Sequence, residues 1–145
     1  MEFDVDSKNT KVGKFIESLM PSMIEQLALT KSQRAVLVKV TKDATDLEEG
    51  MQGATLNIEI ADCYLVLIKQ PKRITKTSLL EMGLTLAHEM VHVRQLAKGQ
   101  MKFLPNQNRI WMGKRYSNKT HYLDQPWEID AFSRQELVFR RAIEL

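Results

Sequence analysis

One segment of the chain, from about residue 76 to residue 98, has the spacing of a long helix that is apolar around most of its circumference. Such a helix has to be buried, because in water it would leave apolar surface uncovered on nearly all sides. Thr77 or Ser78 is a suitable start signal, and Lys98 followed by Gly99 is typical of a helix end. The chain must therefore fold around this helix.

A narrow polar stripe interrupts the apolar surface of this helix. Its members are Glu81, Thr85, His88, His92 and Gln95. Buried polar groups that lack partners cost about 1 to 3 kcal/mol each. The stripe therefore indicates that the helix lines a cavity or binds a ligand.

The stripe includes an H-E-x-x-H motif, which reads His88-Glu89-Met90-Val91-His92. Histidines at positions i and i+4 share one helix face, so both imidazoles can bind a single Zn²⁺ ion. A glutamate directly after the first histidine can reach a water molecule at the metal and act as general base. We therefore predict two zinc ligands and a catalytic base here. In the alternative interpretation the histidines are ordinary polar residues, but the buried stripe argues against it.

A catalytic zinc site usually has three protein ligands, so a third must come from elsewhere in the chain. Glu128 is the best candidate, because Pro126 suits the first turn of a helix and places this glutamate near the start of the last one. His121, in a polar loop, is the competing ligand. Asp124, which we expect to cap the last helix, and Asp130, on another side of it, come next.

Together, His88-Glu89-x-x-His92 and the later Glu128-x-x-Ala131 resemble the small H-E-x-x-H zinc metallopeptidases of the gluzincin type. The nearest in pattern are compact phage and bacterial domains of the ImmA/IrrE and SprT-like groups. The resemblance covers about residues 76 to 140. It implies a minimal zincin-like domain with His88, His92 and Glu128 as ligands and Glu89 as base. The third histidine of SprT-like proteins and the extended motif of metzincins are missing.

The length of 145 residues predicts a single domain over residues 1–145, and the hydrophobic patterns predict an α+β fold. We expect a small, mostly antiparallel sheet packed on the histidine helix, together with flanking helices. The predicted elements are a helix over 11–29, strands over 35–41, 55–60 and 63–68, a short hairpin over 110–116 and the last helix. A polar loop, 42–53, is expected to be a surface connection, with a mobile flap as the alternative.

The strand over 55–60 alternates, with Leu56, Ile58 and Ile60 on one face and Thr55, Asn57 and Glu59 on the other. We expect the polar face of this strand to meet water. If the strand lies at the edge of the sheet, it can hold an extended peptide by main-chain pairing.

Two tyrosines between the motifs, Tyr116 and Tyr122, are candidates for donating a hydrogen bond to a developing oxyanion. Packing is the commoner role for tyrosine and is the alternative for both.

Composition limits the partners, the cysteine chemistry and the cellular location that we expect for the protein. The net charge of +3 is mild and the basic residues are scattered, so nucleic-acid binding is only weakly supported. Cys63 is the single cysteine, which excludes an internal disulfide and a cysteine metal cluster. No apolar run is long enough for a bilayer and no secretory signal is present, so we expect no membrane partner. The expected location is the cytoplasm, or that of the host if a phage encodes the chain.

The function predicted from the sequence is hydrolysis of a peptide or protein substrate by a zinc-dependent peptidase. One alternative is a non-catalytic metal-binding or protein-binding module, such as a mobile-element protein that engages a host regulator. Another is a DNA-associated protease of the SprT-like kind.

Overall fold

The computed structural model describes residues 1–43, 47–48 and 50–144, which form three α-helices, two sheets and short 3-10 turns. The α+β class is confirmed. In chain order the elements are β1 (Phe3–Asp6), α1 (Thr10–Gln26), β2 (Ala35–Thr41), β3 (Gly53–Ile58), β4 (Cys63–Lys69), α2 (Lys76–Ala97), β5 (Met101–Phe103), β6 (Arg109–Trp111), β7 (Lys114–Tyr116) and α3 (Pro126–Ile143).

The four-stranded sheet has the order β1-β2-β4-β3 and is mixed. Both pairings of β2 are parallel, and only β3 and β4 pair antiparallel. The expectation of a mostly antiparallel sheet is wrong here, although it holds for the three-stranded sheet β5-β6-β7. One reason is the unpredicted strand β1, because α1 carries the chain back across the sheet so that β2 runs parallel to it. The other is that the chain passes from β2 to the edge strand β3 before it turns back into β4, which therefore runs parallel to β2.

Strands β3 and β4 pair antiparallel as a hairpin, but the orientation expected for β3 is only partly right. Its polar residues Thr55 and Asn57 are partly buried and hydrogen-bonded, whereas Leu56 is 41% exposed. Glu59 lies in the turn after the strand and is exposed, as predicted. Thr55 faces α2 because a buried carboxylate on that helix needs its hydroxyl, so its burial leaves no unpaired polar group.

The core lies between one face of the four-stranded sheet and the helices. Alternate residues of the inner strands point into it, among them Val38 and Val66, which are fully buried. Helix α3 packs against both α1 and α2. Gly83 allows α2 and α3 to approach closely, since a Cβ atom there would lie 2.2 Å from Cε1 of Phe139.

Helix α2 begins at Lys76, as predicted, but its N-cap precedes the predicted start signals Thr77 and Ser78. Thr75 is the N-cap, and its side chain accepts from the Ser78 N–H while the Ser78 hydroxyl accepts from the Thr75 N–H. The predicted helix itself is confirmed. The polar stripe is buried at His88, His92 and Gln95, whereas Glu81 is exposed and Thr85 is half-buried.

Helix α3 begins at Pro126, as predicted, but Asp124 does not cap it. Asp124 ends a 3-10 turn over Tyr122–Asp124, and Gln125 is the N-cap residue, without a side-chain bond to the helix. The Gln125 carbonyl accepts from the N–H groups of Glu128 and Ile129, so backbone rather than a carboxylate closes the first turn.

The short hairpin of β6 and β7 is confirmed. Among the described residues, no helix combines the length and the apolarity needed to cross a bilayer.

Candidate metal centre

His88, His92 and Glu128 come together between α2 and the first turn of α3. Nε2 of His88 lies 2.8 Å and Nε2 of His92 3.0 Å from the same oxygen, Oε1 of Glu128. The three possible ligand atoms lie within 4.8 Å of one another. These residues are therefore close enough to bind one metal ion.

The other ring nitrogen of each histidine is hydrogen-bonded to the side-chain oxygen of a glutamine. Nδ1 of His88 is 2.6 Å from Oε1 of Gln135, and Nδ1 of His92 is 2.7 Å from Oε1 of Gln95. Because an amide oxygen can only accept, both Nδ1 atoms carry the proton and donate it. In the neutral imidazoles this leaves a lone pair on each Nε2 atom, directed toward a carboxylate oxygen. Either the proton of a protonated imidazole or a cation can lie between these atoms, and a divalent metal ion fits the two nitrogens and the carboxylate oxygen.

Gln95 has a second role, because its amide nitrogen ties α2 to α3. Nε2 donates to the backbone oxygen of Trp127 and to Oδ2 of Asp130, each at 2.9 Å. These two acceptors fix which end of the amide faces His92. The side chain is fully buried, so the position of this histidine depends directly on the contact between the helices.

Glu89 lies beside the histidines but is not one of the three grouped ligands. It is buried, and the hydroxyl of Thr55 donates to its Oε1 at 2.8 Å. Burial raises the pKa of Glu89, although the charges on His92 and His88 and the bond from Thr55 oppose the rise. A carboxylate with a raised pKa is a better general base near neutral pH than an exposed one.

The pKa values of the grouped residues reflect their mutual contacts. Burial acts to raise the pKa of Glu128, but hydrogen bonds from His88 and His92 outweigh it and lower that pKa to about 2. Burial acts to lower the pKa of His92, yet its bond to Glu128 and the charge of Glu89 raise it overall. Glu128 is therefore an anion at neutral pH and is available to a metal.

A cavity of about 460 Å³ opens beside His88 and Glu89. Its walls are mainly apolar and include Leu84, Phe132 and the segment 50–53. Gly53 lies very close to Glu89, because a Cβ atom there would be 3.0 Å from Cγ of that residue. The cavity is large enough to accept a side chain next to the candidate metal centre.

The two predicted tyrosines lie in different places. Tyr122 lines the cavity, and burial together with the carboxylates of Glu128 and Glu89 raises its pKa to about 12, so it remains a donor. Tyr116 is not among the residues that line the cavity and packs edge to face on Trp127, with 5.5 Å between the ring centroids.

The competing third ligands lie outside the grouped residues. His121 is exposed, and its Nδ1 accepts from the backbone N–H of Leu123. The carboxylate of Asp130 is occupied by Arg134, at 2.7 Å, and by Gln95. The structure thus brings Glu128, and neither of these, to the histidines.

Two contributors were not singled out from the sequence, namely Thr55 as a partner of the base and Gln135. Gln135 follows Glu128 by seven residues, which is two helical turns on the same face, and that spacing was the available signal.

Comparisons of the chain with protein-family models, with curated proteins and with solved structures find no match.

Proposed function

We propose that the protein is a zinc-dependent metallopeptidase. The observation that carries the proposal is the convergence of His88, His92 and Glu128 beside the buried carboxylate of Glu89. Two imidazole nitrogens and one carboxylate oxygen are a typical donor set for catalytic zinc, with one position left for water or substrate. When bound, zinc supplies a Lewis acid that polarises the scissile carbonyl and acidifies a water molecule.

The residues of the chain perform the proton transfers. Glu89 takes a proton from the attacking water and passes it to the leaving amine, and its raised pKa suits both steps. Thr55 holds one carboxylate oxygen of Glu89, so the proton is accepted in a fixed direction. Tyr122, protonated over the physiological range, donates to the oxygen that becomes negative.

Strand β3 supplies a natural support for an extended substrate. It is an edge strand of the four-stranded sheet, and it carries both Gly53 and Thr55, which contact Glu89. The backbone N–H of Lys69 donates to Gln52, so the alternation of an antiparallel pair directs the backbone groups of Gly53, Thr55 and Asn57 away from β4. A peptide that pairs with these groups passes directly over the general base.

The test compares Glu89→Gln with Glu81→Gln, an exposed glutamate on the same helix. Zinc content is measured by elemental analysis, and turnover is measured with unfolded casein and a mixed peptide library. We expect one zinc per chain in the parent and in both variants. Turnover should fall at least about a hundredfold in Glu89→Gln only, because the base is lost and the ligands are kept.

Two outcomes contradict the proposal. Unchanged turnover in Glu89→Gln rejects Glu89 as the base. Stoichiometric zinc without turnover of any peptide by the parent supports a non-catalytic metal-binding module instead.

A further inference from the structure

Arg109 lies next to the candidate metal centre, and none of the described residues gives it an anionic partner of its own. It faces Phe103 and Tyr116 across the three-stranded sheet, and its guanidinium carbon is 5.0 Å from the ring centroids of both Phe103 and Trp127. Trp127 directly precedes the candidate ligand Glu128. Stacking on two rings fixes the guanidinium plane and leaves the N–H groups at its edge available.

Most of those N–H groups are unused. Within the described part of the chain, the hydrogen bonding of Arg109 amounts to one weak contact, from Nη1 to Sδ of Met101 at 3.5 Å. No described carboxylate lies within ion-pair distance of it. The neighbouring Trp127 Nε1 is buried and likewise has no acceptor among the described residues. The nitrogens of Arg109 are not among the buried unpartnered atoms of the described residues, so its remaining N–H groups reach solvent and are free to bind an acceptor on a ligand.

The charges around the centre favour an anion as that acceptor. Glu128 and Glu89 are the charged groups that act on the guanidinium of Arg109 electrostatically. A bound divalent ion balances their two negative charges, which leaves the positive charge of Arg109 uncompensated.

A second cavity, of about 370 Å³, is bounded by the end of β3 and by β5. Its walls include Met101 and Phe103, which contact Arg109, although Arg109 itself does not line it. Lys102 adds another cation to this cavity, and Glu59 stands on the β3 side. The cavity therefore adjoins the far end of the strand on which a substrate would lie.

We propose that Arg109 binds a carboxylate of the substrate, so that the protein prefers peptides with an acidic group within two residues of the scissile bond. This inference rests on the proposed peptidase function and names the class of substrate. A carboxylate accepts two parallel N–H bonds from a guanidinium, which a neutral amide cannot match. The carboxylate belongs either to an acidic side chain or to the C-terminus of the peptide.

Two pairs of zinc-binding hydroxamates test the proposal and separate these sources. The first pair is N-acetyl-aspartyl-leucine hydroxamate and its asparaginyl counterpart. The second is a succinyl hydroxamate joined to alanine, as the free acid and as the amide. Calorimetry with the zinc-loaded protein should show at least about tenfold tighter binding of the carboxylate member of one pair.

The matched variants are Arg109→Met, which keeps a long apolar side chain between the rings, and Arg115→Met, an exposed arginine on β7 of the same sheet. Arg109→Met should reduce the carboxylate preference about tenfold, and Arg115→Met should preserve it. Arg109→Lys should retain an intermediate preference, because an ammonium keeps the charge without the paired donors, and it serves if the methionine variant fails to fold.

The outcomes distinguish a failure of the role of Arg109 from a failure of the metal centre. The role of Arg109 is rejected if both hydroxamates of each pair bind but the carboxylate preference is below about twofold. It is also rejected if the preference persists in the Arg109 variants. In both cases the metal centre stands. If no hydroxamate binds the zinc-loaded protein, the metal centre is rejected and this inference with it.

Discussion

The hydroxyl of Thr55, on the edge strand, donates to the carboxylate of Glu89, on the central helix, with 2.8 Å between Oγ1 and Oε1. The same hydroxyl lies 3.1 Å from the backbone oxygen of Glu89. One side chain therefore connects the strand proposed to bind substrate with the group proposed to activate water. The position of the base is coupled to the position of the strand.

Replacing Thr55 by valine removes this connection while keeping the shape of the side chain. We expect kcat to fall about tenfold, since Glu89 loses the donor that directs it, while zinc content stays the same. Steady-state kinetics and elemental analysis measure the two effects. Thr77→Val, at an exposed position in the first turn of α2, is the control. A loss of zinc in Thr55→Val would show that the strand supports the ligands rather than the base.

Replacing Gln95 by alanine should weaken zinc binding about 10- to 100-fold, because His92 loses the acceptor that fixes its ring. The apparent zinc affinity is measured by competition with a chelator dye. Gln135→Ala should act similarly through His88. Gln33→Ala, at an exposed position, should leave the affinity unchanged. Equal affinities in all three variants would contradict the positioning role of the glutamines.

Replacing Gly83 by alanine should destabilise the protein by about 1 to 3 kcal/mol, because the added methyl group collides with the ring of Phe139. The free energy of unfolding is measured by urea denaturation. Phe139→Leu alone should also destabilise, but the double variant should lose less than the sum of the two single losses. Strict additivity would mean that the two residues are not in contact.

The carboxylate of Asp130 should contribute to stability only above acidic pH. Burial acts to raise its pKa, but bonds from Arg134 and Gln95 outweigh this and hold it below the usual range. A group with a lowered pKa stabilises the fold above its unfolded-state pKa, and this contribution is lost as pH falls through its folded-state pKa.

Asp130→Asn should therefore cost about 0.5 to 1 kcal/mol near neutral pH, and the difference from the parent should vanish in acid. Urea denaturation from about pH 2 to pH 7 measures it. A difference that grows toward low pH would have the wrong sign for this explanation.

The sequence predicted best the features that depend on local spacing. The course of α2 and its buried polar stripe follow from helical periodicity, and Pro126 placed Glu128 in the first turn of α3, where it meets the histidines. The β6–β7 hairpin is another local feature. Such elements are set by residues within a few positions of one another.

The features that the sequence did not predict depend on distant contacts. The parallel pairing of β1 with β2 joins segments about 30 residues apart, and four residues of strand are too few to give a clear pattern. The inward direction of Thr55 depends on a carboxylate 34 positions later in the chain. Likewise Arg109 takes its place only once β6 lies against the start of α3.

The close approach of Gly53 to the central helix also bears on how other chains with this centre can be recognised. A Cβ atom at this position would meet Cγ2 of Thr85 at 2.8 Å and Cγ of Glu89 at 3.0 Å. Any larger residue would displace the carboxylate proposed to act on water. The H-E-x-x-H motif alone is short enough to arise in unrelated chains, so a search pattern gains specificity if it also requires this glycine, with a hydroxyl-bearing residue two positions later. The narrow gap between β3 and α2 thereby provides a sequence criterion for finding other chains with this centre.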